Sequence, residues 1–525
     1  MTAVSADTVE GVISGGRRPL ALAALCGVLF LTFLDNTIVS VALGNIQPDL
    51  HAGVSSLQWI VNGYALAFAT VMLPAGAISD EFGRKLVMMS GIALFCIGSV
   101  ICAVAPDSAT LIAGRVVMGF GAAGSEPGTL SMLRQLYPNE PKRARALGTW
   151  AAVSGLALAL GPVIGGALVG VGSWRDIFWF NLALGVLLFA ICVGVLPESA
   201  DPAARRVDAL GSILGMAAIA TAVFGVIHGE TVGFDNAVVL ALWVIGFVLA
   251  VLFYLRMRFA DHPLIDLRAV RSASFRVSTL SAFTTYFATF SVFFFTALYL
   301  QEVVGTSAYR VAVEFLPLLG GLVLASLVAG RWTGHLGPRV PLALGCLVFA
   351  GGLFWTDSTL SPHPSYGLLA ASLAVVGVGI GLTVVPITDT ALTSVDARHS
   401  GLAASATNTS RELGAVVGVA VLGAIVNSQL TSHLVASLKA LHIPAQFNSL
   451  IITAVEQGGA PSAGGGGSGP TAALANSPIA KKVLQAAYNA FGDGLHIALS
   501  LSAWMLVATA IVAVVFLRNR RAGAR

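Results

Sequence analysis

Four of the ionisable residues inside long apolar stretches of this 525-residue chain are candidates for chemistry: Asp35, Arg115, Glu126 and Glu412. A charged side chain at the centre of a bilayer costs about 3 kcal/mol or more, so such residues mark functional sites by default. A carboxyl group can bind a proton or a cation in turn, and a guanidinium can serve as its counter-ion. We therefore interpret all four as candidates for coupling proton movement to the binding of a second ligand.

Each candidate also has an alternative interpretation. Asp35 and Arg115 suit a purely structural ion pair. Glu126 and Glu412 are each candidates for a second proton carrier or for an anchor of a cationic substrate. For Glu412 the structural alternative is a salt bridge with a basic residue of a neighbouring helix, since the adjacent Arg411 points to another face of its own helix.

The composition predicts that lipid surrounds most of the chain, because hydrophobic residues make up 56% of it and charged residues only 10%. In lipid every backbone amide needs an internal partner, so apolar runs of about 20 residues indicate membrane-spanning helices. The expected fold class is an all-α polytopic membrane protein. Fourteen runs qualify, near residues 19–43, 57–79, 86–105, 110–132, 146–170, 175–196, 209–228, 236–257, 275–300, 308–330, 340–356, 366–389, 401–426 and 495–517.

Basic residues indicate which loops face the cytoplasm, because short cytoplasmic loops hold Lys and Arg. The connections after the second and fourth spans carry Arg84, Lys85, Arg134, Lys142, Arg143 and Arg145. The short loops 44–56, 106–109, 229–235 and 357–365 contain no Lys or Arg. An even number of spans then puts both termini in the cytoplasm. Because Ala, Gly and Val abound, we expect a multi-pass protein of a bacterial plasma (inner) membrane.

The chain contains an internal repeat. At nearly constant sequence offset, Gly76, Gly83, Lys85, Gly119 and Gly121 recur as Gly330, Gly337, Arg339, Gly377 and Gly379. Duplication of a six-helix unit explains this, so we predict an N-terminal half over 1–196, a two-helix linker insertion over 197–270 and a C-terminal half over 271–525. A long external loop is expected over 427–494, because that interval contains the low-complexity stretch GGAPSAGGGGSGP.

Two short motifs have residue types suited to moving helices. A charged turn between two apolar runs contains Gly76, Asp80, Gly83, Arg84 and Lys85, and it predicts a loop that joins two membrane helices. Its Arg and Lys have the alternative role of topology anchors. A glycine-rich motif within the fifth span contains Gly161, Pro162, Gly165 and Gly166. Small residues and proline predict a bend and a close helix crossing, for which simple packing is the alternative.

These motifs resemble those of the major facilitator superfamily, in particular its 14-helix drug:proton antiporter branch. The charged turn resembles the family's G-x-L-x-D-R-x-G-R-K, with Glu81 where a basic residue is usual. The fourth span resembles R-x-x-Q-G-x-G-A-A, with Met118 in place of the glutamine. The first span carries LDNTIVSVALG, which resembles the family's L-D-x-T-I-V-N-V-A-L-P. The resemblance covers nearly the whole chain, with the four motifs in the family's order.

The resemblance implies a major facilitator fold, with two six-helix halves and two extra linker helices. In that fold the first and fourth helices both line a central cavity. Asp35 lies about 24 Å from the cytoplasmic end of its helix, and Arg115 about 8 Å below the outer surface of a core about 30 Å thick. The two depths nearly coincide, so we expect the side chains to meet. The charged turn is expected to hold the two halves together as a latch. The glycine-rich motif of the fifth span resembles the antiporter motif of exporters.

The function implied is a proton-coupled antiporter that exports amphipathic or cationic drugs by alternating access. The acid expected to exchange the proton is Asp35, which the substrate otherwise occupies or stabilises. One alternative is a dedicated exporter of an endogenous metabolite or lipid with the same fold. Another is a nutrient symporter, which the glycines around Pro162 disfavour. An ATP-driven pump is disfavoured because the sequence contains no G-x-x-x-x-G-K-[ST] loop, and no catalytic constellation indicates an enzyme.

Aromatic and polar residues of two spans are candidates for a substrate pocket: Asn62, Tyr64, Tyr286 and Phe290. Lipid contact or core packing is the alternative for all four. The expected partners are a small-molecule substrate, protons and the lipid bilayer, with no nucleic acid, cofactor or metal. A monomer is expected.

Overall fold

Fourteen long helices make up most of the protein in a computed structural model, which describes residues 18–52, 54–198, 208–260, 272–306, 308–361, 364–395, 400–440 and 478–517. The first half contains α1 (Arg18–Ile38), α2 (Val54–Phe82), α3 (Arg84–Ala103), α4 (Ser108–Leu136), α5 (Glu140–Val171) and α6 (Arg175–Val195). Then follow α7 (Ala209–Val232), α8 (Ala237–Phe259), α9 (Ala273–Glu302), α10 (Leu316–Leu336), α11 (Arg339–Thr359), α12 (Tyr366–Thr393), α13 (Ser400–Ala440) and α14 (Pro478–Phe516).

The helices confirm the expected all-α membrane fold. One long helix corresponds to each predicted span, and 13 of the fourteen are long and apolar enough to cross a membrane. The exception is α4, which carries Arg115, Glu126 and Arg134 among many small residues. Its lower hydropathy therefore comes in part from Arg115 and Glu126, which the sequence indicates as functional.

The charged turn is shorter than its sequence predicts. Helix α2 continues to Phe82 and α3 starts at Arg84, so only Gly83 separates the two helices. Gly83 has a φ of 110°, and its repeat counterpart Gly337, between α10 and α11, has a φ of 78°. Positive φ is readily available only to glycine, so one residue is enough to reverse the chain at both places.

The repeat predicted from the glycines is also visible in helix packing. Gly119 of α4 lies against the backbone of Tyr64 in α2, where a Cβ atom would come within 2.5 Å of the Tyr64 carbonyl oxygen. Its counterpart Gly377 of α12 lies against the backbone of Leu318 in α10. The same close crossing therefore occurs once in each group of six helices, and it needs a residue without a side chain.

The two groups of six helices contact each other mainly through two helix pairs, α5 with α10 and α2 with α13, with smaller contacts of α4 with α13 and of α5 with α12. Glycines allow the α5–α10 contact: a Cβ atom on Gly148 would lie 2.7 Å from the Ser326 carbonyl oxygen, and one on Gly330 would lie 2.6 Å from that of Ala144. Helices α7 and α8 pack together, and α7 packs on α2 and α13. The outer face of α8 is exposed, with Phe247 at 71%, as a lipid-facing helix requires.

The prediction of a loop over 427–494 is wrong at both ends. Helix α13 continues to residue 440 and α14 begins at residue 478. Helix α14 keeps an inner apolar face ahead of its predicted span, where Ala490 is buried and Phe491 packs 6.2 Å from Tyr299 between ring centroids. The mean hydropathy falls there because polar residues occupy the outer face of α14, although the helix continues. The low-complexity stretch at 458–470 lies outside the described residues.

Candidate functional site

Asp35 of α1 and Arg115 of α4 are in contact, as their depths predict. Arg115 donates from Nη1 to Asp35 Oδ2, and Asn181 of α6 donates from Nδ2 to Asp35 Oδ1 over 2.7 Å. Asp35 is 0% exposed and Arg115 is 1% exposed. Both carboxylate oxygens therefore have a donor, and the ion pair is closed to solvent.

Helix α2 provides the remaining partners of Arg115. Its Nε donates to the Ile60 carbonyl oxygen over 2.9 Å, and its guanidinium carbon lies 4.4 Å from the centroid of the Tyr64 ring. The Tyr64 hydroxyl in turn donates to the Thr32 carbonyl oxygen over 3.3 Å. The Tyr64 ring is thus buried and covers one side of the ion pair. Asn62, the other pocket candidate on α2, is half-buried.

Glu126 belongs to a second buried cluster, which joins the two halves of the molecule. Asn408 of α13 donates from Nδ2 to Glu126 Oε1 over 2.9 Å, and Arg411 donates from Nη1 to Asn408 Oδ1 over 3.0 Å. Arg411 also donates from Nη2 to the Thr388 hydroxyl of α12. Glu126 and Arg411 are each 2% exposed. Asn408 therefore bridges a buried acid and a buried base.

Two aromatic rings flank the guanidinium of Arg411. Its carbon lies 5.6 Å from the centroid of the Trp150 ring of α5 and 5.3 Å from that of the Tyr286 ring of α9. Tyr286 and Phe290, one helical turn apart, stack with centroids 6.2 Å apart, as their spacing predicts. Within this cluster Arg411 Nε and Glu126 Oε2 are buried without a hydrogen-bond partner. The cluster therefore keeps one free donor and one free acceptor.

Glu412 differs from the other two interior acids. Its side chain is half-buried, and in the described part of the chain no basic side chain forms an ion pair with it. The salt bridge considered for it is thus absent there. Glu412 lies close enough to Arg411, Glu126, Tyr64 and Tyr286 for electrostatic interaction, and Tyr64 is similarly close to Asp35 and Arg115. All four ionisable candidates therefore share one region of the interior.

Three polar residues of this region were not among the sequence candidates: Asn181, Asn408 and Arg411. Each lies within a predicted span, which is a usable signal because polar side chains are expensive in a bilayer. The contacts of Arg411 with Asn408 and Thr388 depend on the tertiary packing of α12 and α13.

The charged turn is held mainly by its own half. Arg84 donates to Asp80 Oδ1 from Nε over 3.0 Å and from Nη2 over 2.8 Å. Lys85 Nζ donates to two carbonyl oxygens at the end of α6, over 2.8 and 2.7 Å. Glu198 accepts from the first backbone amides of α3, where a carboxylate complements the helix dipole. Gly76 lies within α2. A latch between the halves stays a prediction for this motif.

The glycine motif of α5 packs against α1. A Cβ atom on Gly161 would overlap the Thr37 side chain, and one on Gly165 would lie 2.8 Å from the Ile38 carbonyl oxygen. Gly166 faces open space, with nothing within 4 Å of such an atom. Helix α5 runs through Pro162, whose side chain lies outside the described part of the structure. The predicted close approach is therefore made by two of the three glycines.

A matching pair of glycines occurs in the second half. Gly414 and Gly418 of α13 lie against the carbonyl groups of Phe283 and Phe287 in α9, and a Cβ atom on Gly418 would lie 2.7 Å from the Phe287 oxygen. The contact begins three residues after Arg411. The α9–α13 contact therefore positions the Arg411 and Glu412 side chains.

At the end of the molecule predicted to be cytoplasmic, side chains connect the two halves. Arg143 of α5 donates from Nε to Asp389 Oδ1 of α12 over 3.0 Å, and its Nη2 lies 3.0 Å from the same oxygen. Arg134 of α4 donates to the Val395 carbonyl oxygen over 3.0 Å. In the described residues, no group of three or more His, Cys, Asp or Glu side chains forms a metal site.

Comparison with known proteins agrees with this geometry. The family described as Major Facilitator Superfamily matches residues 25–419. The chain is 32% identical over 497 residues to the multidrug resistance protein Stp of Mycobacterium tuberculosis, a match that covers 94% of this chain and 90% of that protein. It is 33% identical to the methylenomycin A resistance protein of Bacillus subtilis, covering 85% of this chain and 95% of that protein.

A third relative, the tetracenomycin C resistance and export protein of Streptomyces glaucescens, is 31% identical, and the match covers 81% of this chain and 79% of that protein. Among solved structures, the human organic anion transporter MFSD10 matches with a TM-score of 0.60 over 95% of this chain and 100% of that chain. Its sequence identity of 12% makes this likeness one of fold alone.

Proposed function

Because this chain belongs to the major facilitator superfamily, we propose that it is a proton-coupled antiporter that exports amphipathic or cationic drugs by alternating access. Relatives named for drug resistance and export, aligned over most of their length, support drug efflux. A family of transporters also points away from an enzyme. We further propose a bacterial plasma membrane as its location, with both termini in the cytoplasm.

The observation that carries the proposal is the unequal pairing of the interior acids. Protonation of Asp35 would leave Arg115 buried without its counter-ion, which costs about 3–5 kcal/mol for a buried pair. Glu412 breaks no ion pair when it binds a proton, because none is formed with it by the described side chains. We therefore propose that Glu412, rather than the expected Asp35, exchanges the proton.

Mutual exclusion provides the coupling. A cationic compound and a proton compete for the Glu412 carboxylate, and the nearby Tyr286 and Phe290 rings supply an apolar wall with cation–π capacity. A monovalent cation that leaves against one incoming proton moves no net charge, so the pH difference drives it at about 1.4 kcal/mol per pH unit. A neutral compound exchanged for one proton gains about 2.3 kcal/mol per 100 mV in addition.

Transport of an aromatic cation into everted membrane vesicles with an imposed pH gradient tests the proposal. Ethidium uptake by the wild type is expected to collapse when the gradient is removed. Glu412→Gln is expected to lose about tenfold or more of the gradient-driven uptake, because an amide cannot exchange a proton in this range. Glu314→Gln is the matched control, because Glu314 pairs with Arg310 within its own short helix Ala308–Glu314. Unchanged uptake by Glu412→Gln contradicts the assignment.

A further inference from the structure

We propose that Arg411 limits the positive charge of the cations that this protein accepts. Arg115 pairs with Asp35, and Arg411 neutralises one of the two remaining interior carboxylates, Glu126 and Glu412. On this view the interior carries one surplus negative charge and suits a compound with a single positive charge. The inference rests on the proposed export of cations and adds the residue that limits their charge.

The charges of the interior can be counted from the contacts. The described helices carry three acids and two bases in their central parts: Asp35, Glu126, Glu412, Arg115 and Arg411. Asp35 and Arg115 pair with each other directly. Glu126 and Glu412 then face Arg411 alone, which leaves one negative charge without a fixed partner. The ion pair of Arg143 with Asp389 lies at the end of α12 and does not enter this count.

Arg411 acts on Glu126 through Asn408 rather than by direct contact. Asn408 donates to Glu126 Oε1 over 2.9 Å and accepts from Arg411 over 3.0 Å. The amide keeps the acid and the base apart, so neither is saturated: Glu126 Oε2 and Arg411 Nε are buried without hydrogen-bond partners. A carboxylate with a free, buried oxygen still attracts a ligand cation, and a guanidinium at this separation weakens the attraction without removing it.

The place that Arg411 occupies is itself suited to a cation. Its guanidinium carbon lies within 6 Å of two aromatic centroids, Trp150 from the first half and Tyr286 from the second. Aromatic faces around a positive charge are the usual surroundings of bound cationic ligands. The Arg411 guanidinium therefore occupies the place where a second positive charge of a ligand would otherwise bind most favourably.

Two dyes with one ring system provide the test, because ethidium carries one positive charge and propidium carries two. Binding of each dye to the purified full-length protein in lipid nanodiscs is measured by fluorescence at alkaline pH, where carboxyl groups ionise. The measured quantity is the ratio of the propidium Kd to the ethidium Kd. Removing one positive charge about 8 Å from the ligand changes affinity by about thirtyfold at a dielectric constant of about 20.

Arg411→Gln is expected to lower this ratio by about tenfold or more, because the second charge of propidium gains a carboxylate that is no longer neutralised. Arg411→Lys keeps the charge and is expected to keep the wild-type ratio. The double variant Arg411→Gln with Glu126→Gln restores the net charge and is expected to restore the ratio. A ratio in Arg411→Gln within about twofold of the wild type, with ethidium still bound, overturns the proposal.

Glu126→Gln tests the same charge count in the opposite direction and does not require Arg411→Gln to fold. It leaves Glu412 opposed by Arg411, so ethidium is expected to bind about tenfold more weakly and propidium more weakly still. Unchanged ethidium affinity in Glu126→Gln overturns the proposal. A wild-type protein that binds neither dye contradicts the proposed export of cations, and the inference with it, whereas wild-type binding with unresponsive variants contradicts the inference alone.

Discussion

Asp35, Glu126 and Glu412 lie in one region of the interior and differ in their partners. Asp35 accepts from Arg115 and Asn181, and Glu126 accepts from Asn408 on one oxygen only. Glu412 has no ion-pair partner among the described side chains. Protonating a carboxylate that is paired with a buried guanidinium leaves that guanidinium without its counter-ion, whereas a carboxylate outside any ion pair can exchange a proton at little structural cost. The division of roles follows from the partners rather than from depth in the membrane.

We predict that Asp35→Asn lowers the free energy of unfolding by about 3–5 kcal/mol, because Arg115 stays buried without its counter-ion. Unfolding by SDS in mixed micelles measures the free energy. The double variant Asp35→Leu with Arg115→Met removes both charges and is expected to recover most of the loss, since apolar replacement of a buried pair is often neutral. An Asp35→Asn protein as stable as the wild type would show that Arg115 does not depend on this carboxylate.

The Asp35–Arg115 contact was predictable from the sequence, because the rise per residue of a helix converts residue number into depth in the membrane. The contacts of Asn181 and Asn408 were not predictable, because depth alone does not say which helix faces touch. Asn181 meets Asp35 only through the packing of α6 on α1, and Asn408 meets Glu126 only through the packing of α13 on α4. Contacts of this kind between distant segments have no local signal.

In helix α5, two neighbouring glycines of one motif have different surroundings. Gly165 faces the α1 backbone, while Gly166 faces open space. Gly161 makes a second close contact with α1, at Thr37. The Thr37 hydroxyl donates to the Leu158 carbonyl oxygen of α5 over 3.2 Å, which ties the two helices further. Because α1 carries Asp35 and α5 carries Trp150, their crossing sets the distance between the two interior clusters.

We predict that Gly165→Ala costs about 1–3 kcal/mol and reduces export, because its Cβ atom would press on the Ile38 carbonyl group. Gly166→Ala is the matched control. It meets no atom within 4 Å, and alanine is about 1 kcal/mol better than glycine in a helix, so unchanged or higher stability is expected. Thermal unfolding and dye export measure both variants. Equal effects of the two substitutions would contradict the packing role of Gly165.

The helices themselves were predictable from hydropathy, because each long apolar run needs a hydrogen-bonded backbone in lipid. Their ends were less predictable. Helix α13 continues to residue 440 and α14 begins at residue 478, and in α14 one face stays apolar where the mean hydropathy has already fallen. The turn at Gly83 was predicted at the right place but too long, because a single positive φ reverses the chain.

The whole molecule is two related halves that meet along α5 with α10 and α2 with α13. The repeat was predictable from recurring glycines, whereas the side chains that join the halves were not. Asp389 in particular has the sequence position of a solvated helix end, yet it pairs with Arg143, and both side chains are largely buried. This pair and the α5–α10 crossing hold the predicted cytoplasmic end together.

We predict that Asp389→Asn opens this end more often, because one partner of a largely buried ion pair is removed and each 1.4 kcal/mol changes a population about tenfold. The measurement is the labelling rate of a cysteine introduced by Ser326→Cys, since Ser326 is buried where α10 meets Gly148 of α5. A background without the five native cysteines is used. Labelling is expected to accelerate about tenfold. Glu314→Gln, whose partner Arg310 is in the same short helix, is expected to leave the rate unchanged.

The most direct test of the account is proton release on cation binding, because it follows the exchange at Glu412 itself. Ethidium is added to the purified protein in weak buffer at mildly acidic pH, and a pH indicator records the release. The wild type is expected to release about one proton per dye bound, Asp35→Asn to keep the release, and Glu412→Gln to lose it. Release that persists in Glu412→Gln, or disappears only in Asp35→Asn, would contradict the central claim.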